Sequence, residues 1–159
     1  AGAQGIQVVR DDRTAPATIV AFDPEMDLAY LSTDLPGRPI PLSTSRTESG
    51  DQGVAYVVRD GRVVALDVAV RRRVNIRTQD VYLQGSTLRP GFDLDGMVRT
   101  GDSGGAVVVD GRVIGVIWAR STRDETRAYA IDPVAGGTLV RSQLRSGSLG
   151  DDVDVARCH

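Results

Sequence analysis

The chain has 159 residues, 41% of them hydrophobic and 25% charged, which is enough to bury the core of one modest domain or of two small lobes. Its formal net charge of -2 at pH 7 argues against electrostatic binding to nucleic acid or to an anionic membrane surface. No apolar run approaches the roughly 18 residues that a membrane-spanning helix requires, so no transmembrane segment is predicted within the chain.

The first part of the chain, residues 1–35, is predicted to be a short β lobe. Runs of Val, Ile and Leu alternate with Gly, Asp and Pro, and helical periodicity is nearly absent throughout the sequence. Strand patterns occur near residues 6–10, 17–22 and 28–31, which are too few to close a barrel by themselves.

A connector and a larger lobe follow. Residues 36–53 hold three prolines and many small polar residues, which is typical of a linker between lobes. Residues 54–145 form the larger lobe, with a weak helical pattern near residues 133–144, and residues 146–159 form an acidic tail. The only cysteine, Cys158, lies in this tail and is either a free thiol or the partner of a cysteine outside the chain.

Two β-hairpins are predicted in the larger lobe. Each is centred on an Asp-Gly pair, Asp60-Gly61 or Asp110-Gly111, a dipeptide that favours the tight type I′ turn. The flanking strand patterns lie at residues 54–58, 62–66, 106–109 and 112–118. The triplet Arg71-Arg72-Arg73 is interpreted as a solvated sheet edge that discourages strand addition rather than as a binding site.

The segment that carries chemistry is Thr-Gly-Asp-Ser-Gly-Gly-Ala at residues 100–106, in which glycines surround Ser103. Such glycines let backbone N–H groups point at a substrate carbonyl and form an oxyanion hole, where loss of one donor typically costs about 3 to 4 kcal/mol of transition-state stabilisation. The alternative is a glycine-rich turn with an ordinary surface serine. We predict that Ser103 is a nucleophile.

The same string satisfies Gly-x-Ser-x-Gly, the nucleophile elbow of α/β-hydrolases, whose chain order is Ser, Asp, His. The only histidine, His159, follows Ser103, and Asp132 and Asp151 lie between them. An elbow requires a helix after the serine, whereas a β-branched run follows here and turns back at the second Asp-Gly pair. His159 is therefore interpreted as a solvated terminal residue rather than as a catalytic base.

Two segments resemble the trypsin-like and chymotrypsin-like serine proteases: GDSGGAVVVDGRVIGVIW resembles the nucleophile region, and DPEMDLAYL resembles the aspartate region. In that family the chain order is His, Asp, Ser, and the serine lies between strands of the second barrel. The resemblance implies an all-β, chymotrypsin-like double β-barrel whose first barrel is incomplete in this chain. The matching carboxylate is Asp27, because an apolar strand follows it and does not follow Asp23 or Asp34.

By the same resemblance, the oxyanion-hole donors are the backbone N–H groups of Gly101 and Ser103. The primary specificity pocket lies between residues 95–99 and the strand after the hairpin, and its substrate-binding residues are Met97, Trp118, Ala119 and Arg120. No buried acid is evident in this set, so a preference for basic side chains is not supported. Arg120 narrows the groove, attracts an acidic substrate residue, or is a solvated strand end.

The family's histidine segment, similar to TNAHVV, is absent, and Ala1-Gly2-Ala3 resembles the residues that follow it, so the chain is expected to begin just beyond the histidine. Within the family the sequence most resembles actinobacterial membrane-anchored, periplasmic proteases of the acid-resistance type. That likeness implies a disulfide between Cys158 and a cysteine outside the chain, together with a membrane anchor further upstream.

The sequence thus predicts a serine endopeptidase that hydrolyses peptide bonds through an acyl-enzyme on Ser103, with Asp27 orienting an upstream histidine. It requires no metal and no organic cofactor, and its partners are a protein or peptide substrate and the missing N-terminal segment of its own domain. Without the histidine, the chain by itself is expected to be nearly inert. The alternative is a non-catalytic pseudoprotease or β module that binds peptides along a sheet edge.

Overall fold

The computed structural model describes residues 5–43 and 46–135, and the regular elements within these ranges are all β-strands. Among the described residues no helix is long and apolar enough to cross a membrane. The strands are β1 (Gln7–Arg10), β2 (Arg13–Asp23), β3 (Leu28–Thr33), β4 (Gln52–Arg59), β5 (Arg62–Gln79), β6 (Ser86–Asp95), β7 (Ala106–Val109), β8 (Arg112–Arg120) and β9 (Arg127–Ile131). The tail, Cys158, His159, Ala1-Gly2-Ala3 and the predicted helical pattern beyond residue 135 lie outside the described residues.

The structure divides into two compact units that are not consecutive stretches of chain. The described part of the first unit contains residues 5–39 and 78–87, and that of the second contains residues 40–77 and 88–135. Residues 78–87 comprise the end of β5, the start of β6 and the turn between them, and the N–H of Val81 in this turn donates to the carbonyl of Pro24 at 3.2 Å. The boundaries at residues 35 and 53 stay a prediction.

The first unit is built on a three-stranded antiparallel sheet in the order β1-β2-β3. The buried residues of its described part are Ala21 near the end of β2, Asp23 at its last position, and Met26 in the turn that follows. Three strands cannot close a barrel, because closure requires a ring of strands without free edges. The first barrel is therefore not closed by the residues that the structure describes, in agreement with the sequence prediction.

The second unit is a closed barrel with the strand order β4-β5-β6-β9-β8-β7. Both predicted hairpins are confirmed: two-residue loops join β4 to β5 and β7 to β8, with the registers Arg59↔Arg62 and Val109↔Arg112. Asp60, Gly61, Asp110 and Gly111 all have positive φ angles, between 49° and 73°, as a type I′ turn requires at both central positions.

The interior of the barrel is a single apolar cluster contributed by every strand of the ring. Phe92 and Leu94 of β6 and Ile117 of β8 are its largest side chains, each at most 2% exposed. Phe92 and Leu94 are two positions apart and therefore lie on the same face of β6, while Asp93 between them is also buried on the other face. The cluster gives the barrel a rigid wall on which surface loops can be positioned.

The arginine triplet is exposed and lies just beyond the ladder of β5 with β4, which ends at the pair Gln52↔Ala69. Its role against strand addition stays a prediction. Each arginine contacts a carboxylate on β6 or just beyond β9. The pairs are Arg71 with Asp95 at 2.8 Å, Arg72 with Asp93 at 3.2 Å, and Arg73 with Asp132 at 2.8 Å. The fully buried Asp93 is also bound by Arg127 of β9.

Among the described glycines, Gly91 of β6 leaves the least room for a side chain, and this yields a stability prediction. It lies opposite Ile131 of β9, and a Cβ at this position would overlap the carbonyl oxygen of Ala130. We expect Gly91→Ala to lower the free energy of unfolding by about 1–3 kcal/mol or more, the usual cost of overpacking a tight site. Urea unfolding followed by tryptophan fluorescence measures this change.

Gly37→Ala is the matched control, because nothing lies within 4 Å of a Cβ built on Gly37. We expect its effect to stay within about 0.5 kcal/mol. Equal stabilities for the Gly91→Ala and Gly37→Ala variants would contradict the tight β6–β9 approach.

Candidate active site

The loop that carries Ser103 consists of two consecutive β-turns. The N–H of Asp102 donates to the carbonyl of Arg99 at 3.2 Å, and the N–H of Gly105 donates to the carbonyl of Asp102 at 3.1 Å. The third residue of each turn is a glycine with positive φ, Gly101 at 98° and Gly104 at 90°, as type II turns require. The glycines on both sides of the serine are thus a backbone requirement of this loop.

The loop is fastened to strand β8 and to the barrel beneath it. The N–H of Gly104 donates to the carbonyl of Ile117, and the N–H of Ile117 donates to the carbonyl of Gly105, each at 2.8 Å. A Cβ at Gly105 would lie 2.7 Å from Cγ1 of Val57 and 2.8 Å from the carbonyl oxygen of Tyr56. Only glycine lets the chain lie this close to β4, so the loop position is set by the barrel wall.

Ser103 is exposed, and its hydroxyl donates to the carbonyl oxygen of Trp118 at 3.2 Å. A carbonyl accepts this hydrogen bond but is too weak a base to remove the proton, so the contact does not activate the oxygen. The described residues contain no histidine. Within them, the N–H groups of Gly101 and Ser103 donate to no protein acceptor, so both remain available to an oxygen of a ligand.

Asp102, the residue before the serine, is 2% exposed, and its carboxylate forms a bidentate ion pair. Arg59, at the end of β4, donates from Nη2 at 2.6 Å and from Nε at 3.0 Å, and the N–H of Arg99 donates at 2.7 Å. Nη2 of Arg59 also donates to the carbonyl of Met97 at 3.1 Å. One guanidinium thus joins the serine loop to the segment that precedes it.

These contacts shift the ionisation of both partners. The hydrogen bond from Arg59 is the main reason that the pKa of the Asp102 carboxyl lies below its usual value, outweighing the opposing effect of burial. The same hydrogen bond raises the pKa of the Arg59 guanidinium. Asp102 is therefore a permanent carboxylate at neutral pH, and its role is structural. Sequence reasoning missed Arg59, because nothing in the local pattern marks a partner 43 residues away.

The two aspartates of the β2–β3 hairpin differ in their environment. Asp23 is 3% exposed, and its Oδ1 accepts the N–H groups of Glu25 and Met26 at 3.0 Å each, so its carboxylate stabilises the turn. Asp27 is exposed and has a φ of 58°, in the left-handed region that aspartate tolerates better than most residues. Asp27 belongs to the first unit and Ser103 to the second, and the catalytic role of Asp27 stays a prediction.

A cavity of about 430 Å³ lies beside the serine loop, within the second unit. It contains two of the four predicted substrate-binding residues, Met97 and Arg120, whereas Trp118 and Ala119 precede Arg120 on β8. The ring of Trp118 instead lies under the guanidinium of the buried Arg89, at 5.1 Å. Sequence reasoning did not single out Glu125, which follows β8. The residues that line the cavity are Met97, Val98, Arg99, Thr100, Arg120 and Glu125.

The described residues offer no preformed metal site: no three or more His, Cys, Asp or Glu side chains among them are grouped to hold a metal ion. Their carboxylates are distributed over separate turns and ion pairs. Those of Asp93 and Asp102, for example, contact arginines on different parts of the barrel.

The sequence is similar to known proteins. A family model for the trypsin-like peptidase domain matches residues 1–116. The serine proteases MT3772 and Rv3671c, from two strains of Mycobacterium tuberculosis, are each 26% identical to the chain over 135 residues. That alignment covers 82% of this chain but only 34% of the length of each of these curated relatives.

The structure is similar to solved proteases. The active form of the Rv3671c protease from M. tuberculosis superposes with a TM-score of 0.83 at 25% identity, over 96% of this chain and 67% of that one. The HtrA-type protease AlgW, solved with a decapeptide, gives a TM-score of 0.74 at 26% identity, over 92% and 46% of the respective chains. These similarities confirm the all-β, chymotrypsin-like fold class. With the family match over residues 1–116, they establish that the chain belongs to the trypsin-like peptidase domain family.

Proposed function

We propose that the chain is the serine-bearing part of an endopeptidase that cleaves peptide bonds through an acyl-enzyme on Ser103. The observation that carries this proposal is the serine loop. An exposed hydroxyl lies between two glycine turns, and the N–H groups of Gly101 and Ser103 have no protein acceptor among the described residues. Two such donors stabilise the negative charge that develops on a carbonyl oxygen during acyl transfer.

The reaction requires a base, which we assign to a histidine upstream of Ala1. As Oγ of Ser103 bonds to the substrate carbonyl carbon, this histidine takes the hydroxyl proton and then gives it to the leaving amine when the C–N bond breaks. Water then attacks the ester carbonyl while the histidine takes one of its protons. The histidine returns this proton to Oγ of Ser103 as the C–O bond breaks, and the acid product is released. Asp27, which directly precedes β3, orients the imidazole and stabilises its protonated form.

The end of strand β8 is the proposed docking edge for the peptide. On one side, the ladder with β7 ends at Val116, whereas on the other side pairing with β9 continues to Arg120. An extended peptide can add to a strand where its neighbour ends, using main-chain hydrogen bonds. Trp118 and Ala119 would then bind the peptide backbone, while the cavity containing Met97 and Arg120 receives a side chain. The peptide in the AlgW structure supports this class of substrate.

An extracytoplasmic location, an upstream membrane anchor and a disulfide from Cys158 belong to the same proposal. They rest on the resemblance of the sequence to membrane-anchored, periplasmic proteases. If they hold, the substrates are proteins or peptides of the cell envelope.

The first prediction from this proposal concerns Ser103 as the nucleophile. With the upstream histidine segment present, we expect a fluorophosphonate to label Ser103 stoichiometrically, because an activated serine attacks phosphorus as it attacks a carbonyl. Intact mass and peptide mapping measure the adduct. Ser103→Ala is expected to abolish labelling without loss of folding. A folded protein that contains the histidine and remains unlabelled would shift the assignment to a peptide-binding β module.

A second prediction tests whether Asp27, rather than a neighbouring acid, orients the histidine. Asp27→Asn is expected to lower kcat by about 10⁴-fold, because an amide cannot hold the imidazole in the required tautomer. The matched control is Asp34→Asn, which removes another exposed carboxylate close to the same hairpin. We expect kcat of this control to stay near that of the parent protein. Equal losses in the two variants, measured with one peptide substrate, would argue against Asp27 as the orienting acid.

A third prediction tests the ion pair that holds the serine loop. Arg59→Met is expected to lower kcat by about a hundredfold or more, the loss typical of one misplaced oxyanion donor, because Asp102 then has no guanidinium to fix it. Arg62→Met is the control, since Arg62 is exposed and lies opposite Arg59 in the same hairpin. Comparable rates for the Arg59 and Arg62 variants would contradict a positioning role for Arg59.

The same pair predicts a pH dependence. The pKa of Asp102 is lowered on folding from its usual value of 3.8, so its stabilising contribution is complete above that value and is lost as pH falls towards the folded pKa. We expect the stability difference between the parent protein and Arg59→Met to be constant from about pH 7 to 5. Below pH 3.8 this difference is expected to shrink. Urea unfolding at each pH measures it, and a difference independent of pH down to 2 would exclude this linkage.

A further inference from the structure

The cavity beside the serine loop shares backbone with the loop itself. Arg99 and Thr100, which line it, are the first two residues of the β-turn that ends at Asp102, immediately before Ser103. Arg120, on another part of the lining, is the last residue of β8, the strand whose Trp118 carbonyl accepts the Ser103 hydroxyl. A group bound in this cavity is therefore adjacent in the chain to both elements that position the nucleophile.

The charges of the cavity are unbalanced. Arg99 and Arg120 contribute two guanidinium groups, and Glu125 contributes the only carboxylate of the lining. Within the described residues none of these three side chains forms an ion pair. Two other acids lie close to the lining residues along the chain. The carboxylate of Asp102 is bound by Arg59, and Oδ1 of Asp124 accepts the N–H and the hydroxyl of Thr126. The lining thus carries a net positive charge and unused guanidinium donors.

The remaining lining suits a side chain with a short apolar stem. Two apolar residues belong to the lining: Met97, which is 56% exposed, and Val98, which is buried. A carboxylate on two methylene groups would place its stem against these residues and its oxygens within reach of the guanidinium groups. Arginine binds carboxylates through two parallel N–H donors, which makes such a contact directional as well as electrostatic.

Building on the proposed function, we propose that this cavity receives the side chain on the amino-terminal side of the cleaved bond and that Arg99 and Arg120 select an acidic residue there. Glu125 limits the preference, because its carboxylate competes for the same guanidinium groups. A basic substrate side chain would meet two like charges and one opposite charge, which disfavours it.

The experiment uses the protein with its upstream histidine segment and four peptide substrates that differ only at the residue before the cleaved bond: Glu, Gln, Leu or Arg. We expect kcat/KM to be highest for Glu and to exceed that for Gln by about tenfold or more, because a hydrogen bond to a charged group contributes more binding energy than a neutral one. Raising the salt concentration is expected to reduce this ratio, because the pocket is partly open to solvent.

Variants assign the preference to residues. Arg99→Gln and Arg120→Gln are each expected to reduce the Glu-to-Gln ratio of kcat/KM several-fold, because the Glu peptide then loses a charge-assisted hydrogen-bond partner. Glu125→Gln is expected to raise the ratio. The control is Arg123→Gln, which removes an exposed charge two residues from Glu125 and outside the cavity lining. The four substituted residues are exposed, so these changes are expected to preserve the fold. They are Arg99, Arg120, Arg123 and Glu125.

Several results would overturn the inference. Fastest cleavage after Arg would show that Glu125 determines the substrate preference. A Glu-to-Gln ratio that is unchanged in both arginine variants would show that the two guanidinium groups do not select the substrate charge. In either case fluorophosphonate labelling of Ser103 would persist, so only the substrate preference would fail. Absence of labelling in the folded protein would instead overturn the proposed function and this inference together.

Discussion

The ion pair between Arg59 and Asp102 is the interaction on which the candidate site depends. It joins the tip of the β4–β5 hairpin to the serine loop, and through the Met97 carbonyl it also holds the segment that lines the adjacent cavity. A buried carboxylate is stable only when its charge is paired and its lone pairs are hydrogen-bonded, and Asp102 satisfies both conditions. The loop is therefore ordered by contacts within the described chain.

Arginine performs this role repeatedly in the second barrel. All nineteen basic residues are arginine, and the described ion pairs of β5 connect that strand to carboxylates on β6 and beyond β9. A planar guanidinium can bind a carboxylate with two donors and remain charged at any physiological pH, whereas an ammonium group acts as a single point charge. The barrel thus has an apolar interior cluster and a set of directional ion pairs that reinforce the strand register outside it.

The geometry links substrate recognition to the proposed chemistry. The Ser103 loop, the end of β8 and the charged cavity are consecutive parts of one surface of the second unit, and each is held by the rigid wall of the barrel. A peptide that adds to β8 would bring its carbonyl towards the N–H groups of Gly101 and Ser103 while its side chain enters the cavity. In the proposed function, substrate binding and catalysis would use the same backbone segments, so changes to the cavity lining would also act close to the nucleophile.

The local pattern of the sequence was sufficient for the features that depend on neighbouring residues. Alternating apolar runs predicted the strands, two Asp-Gly pairs predicted their turns, and the glycines around Ser103 predicted a loop with exposed N–H donors. The tertiary structure alone decided the partner of Asp102, the full length of β5, the pairing of the arginine triplet, and the presence of Glu125 in the cavity. These contacts join residues as many as 59 positions apart, and closure of the barrel and the register of its strands determine them. A local sequence pattern encodes which face of a strand is buried, but it does not encode which distant strand that residue will meet.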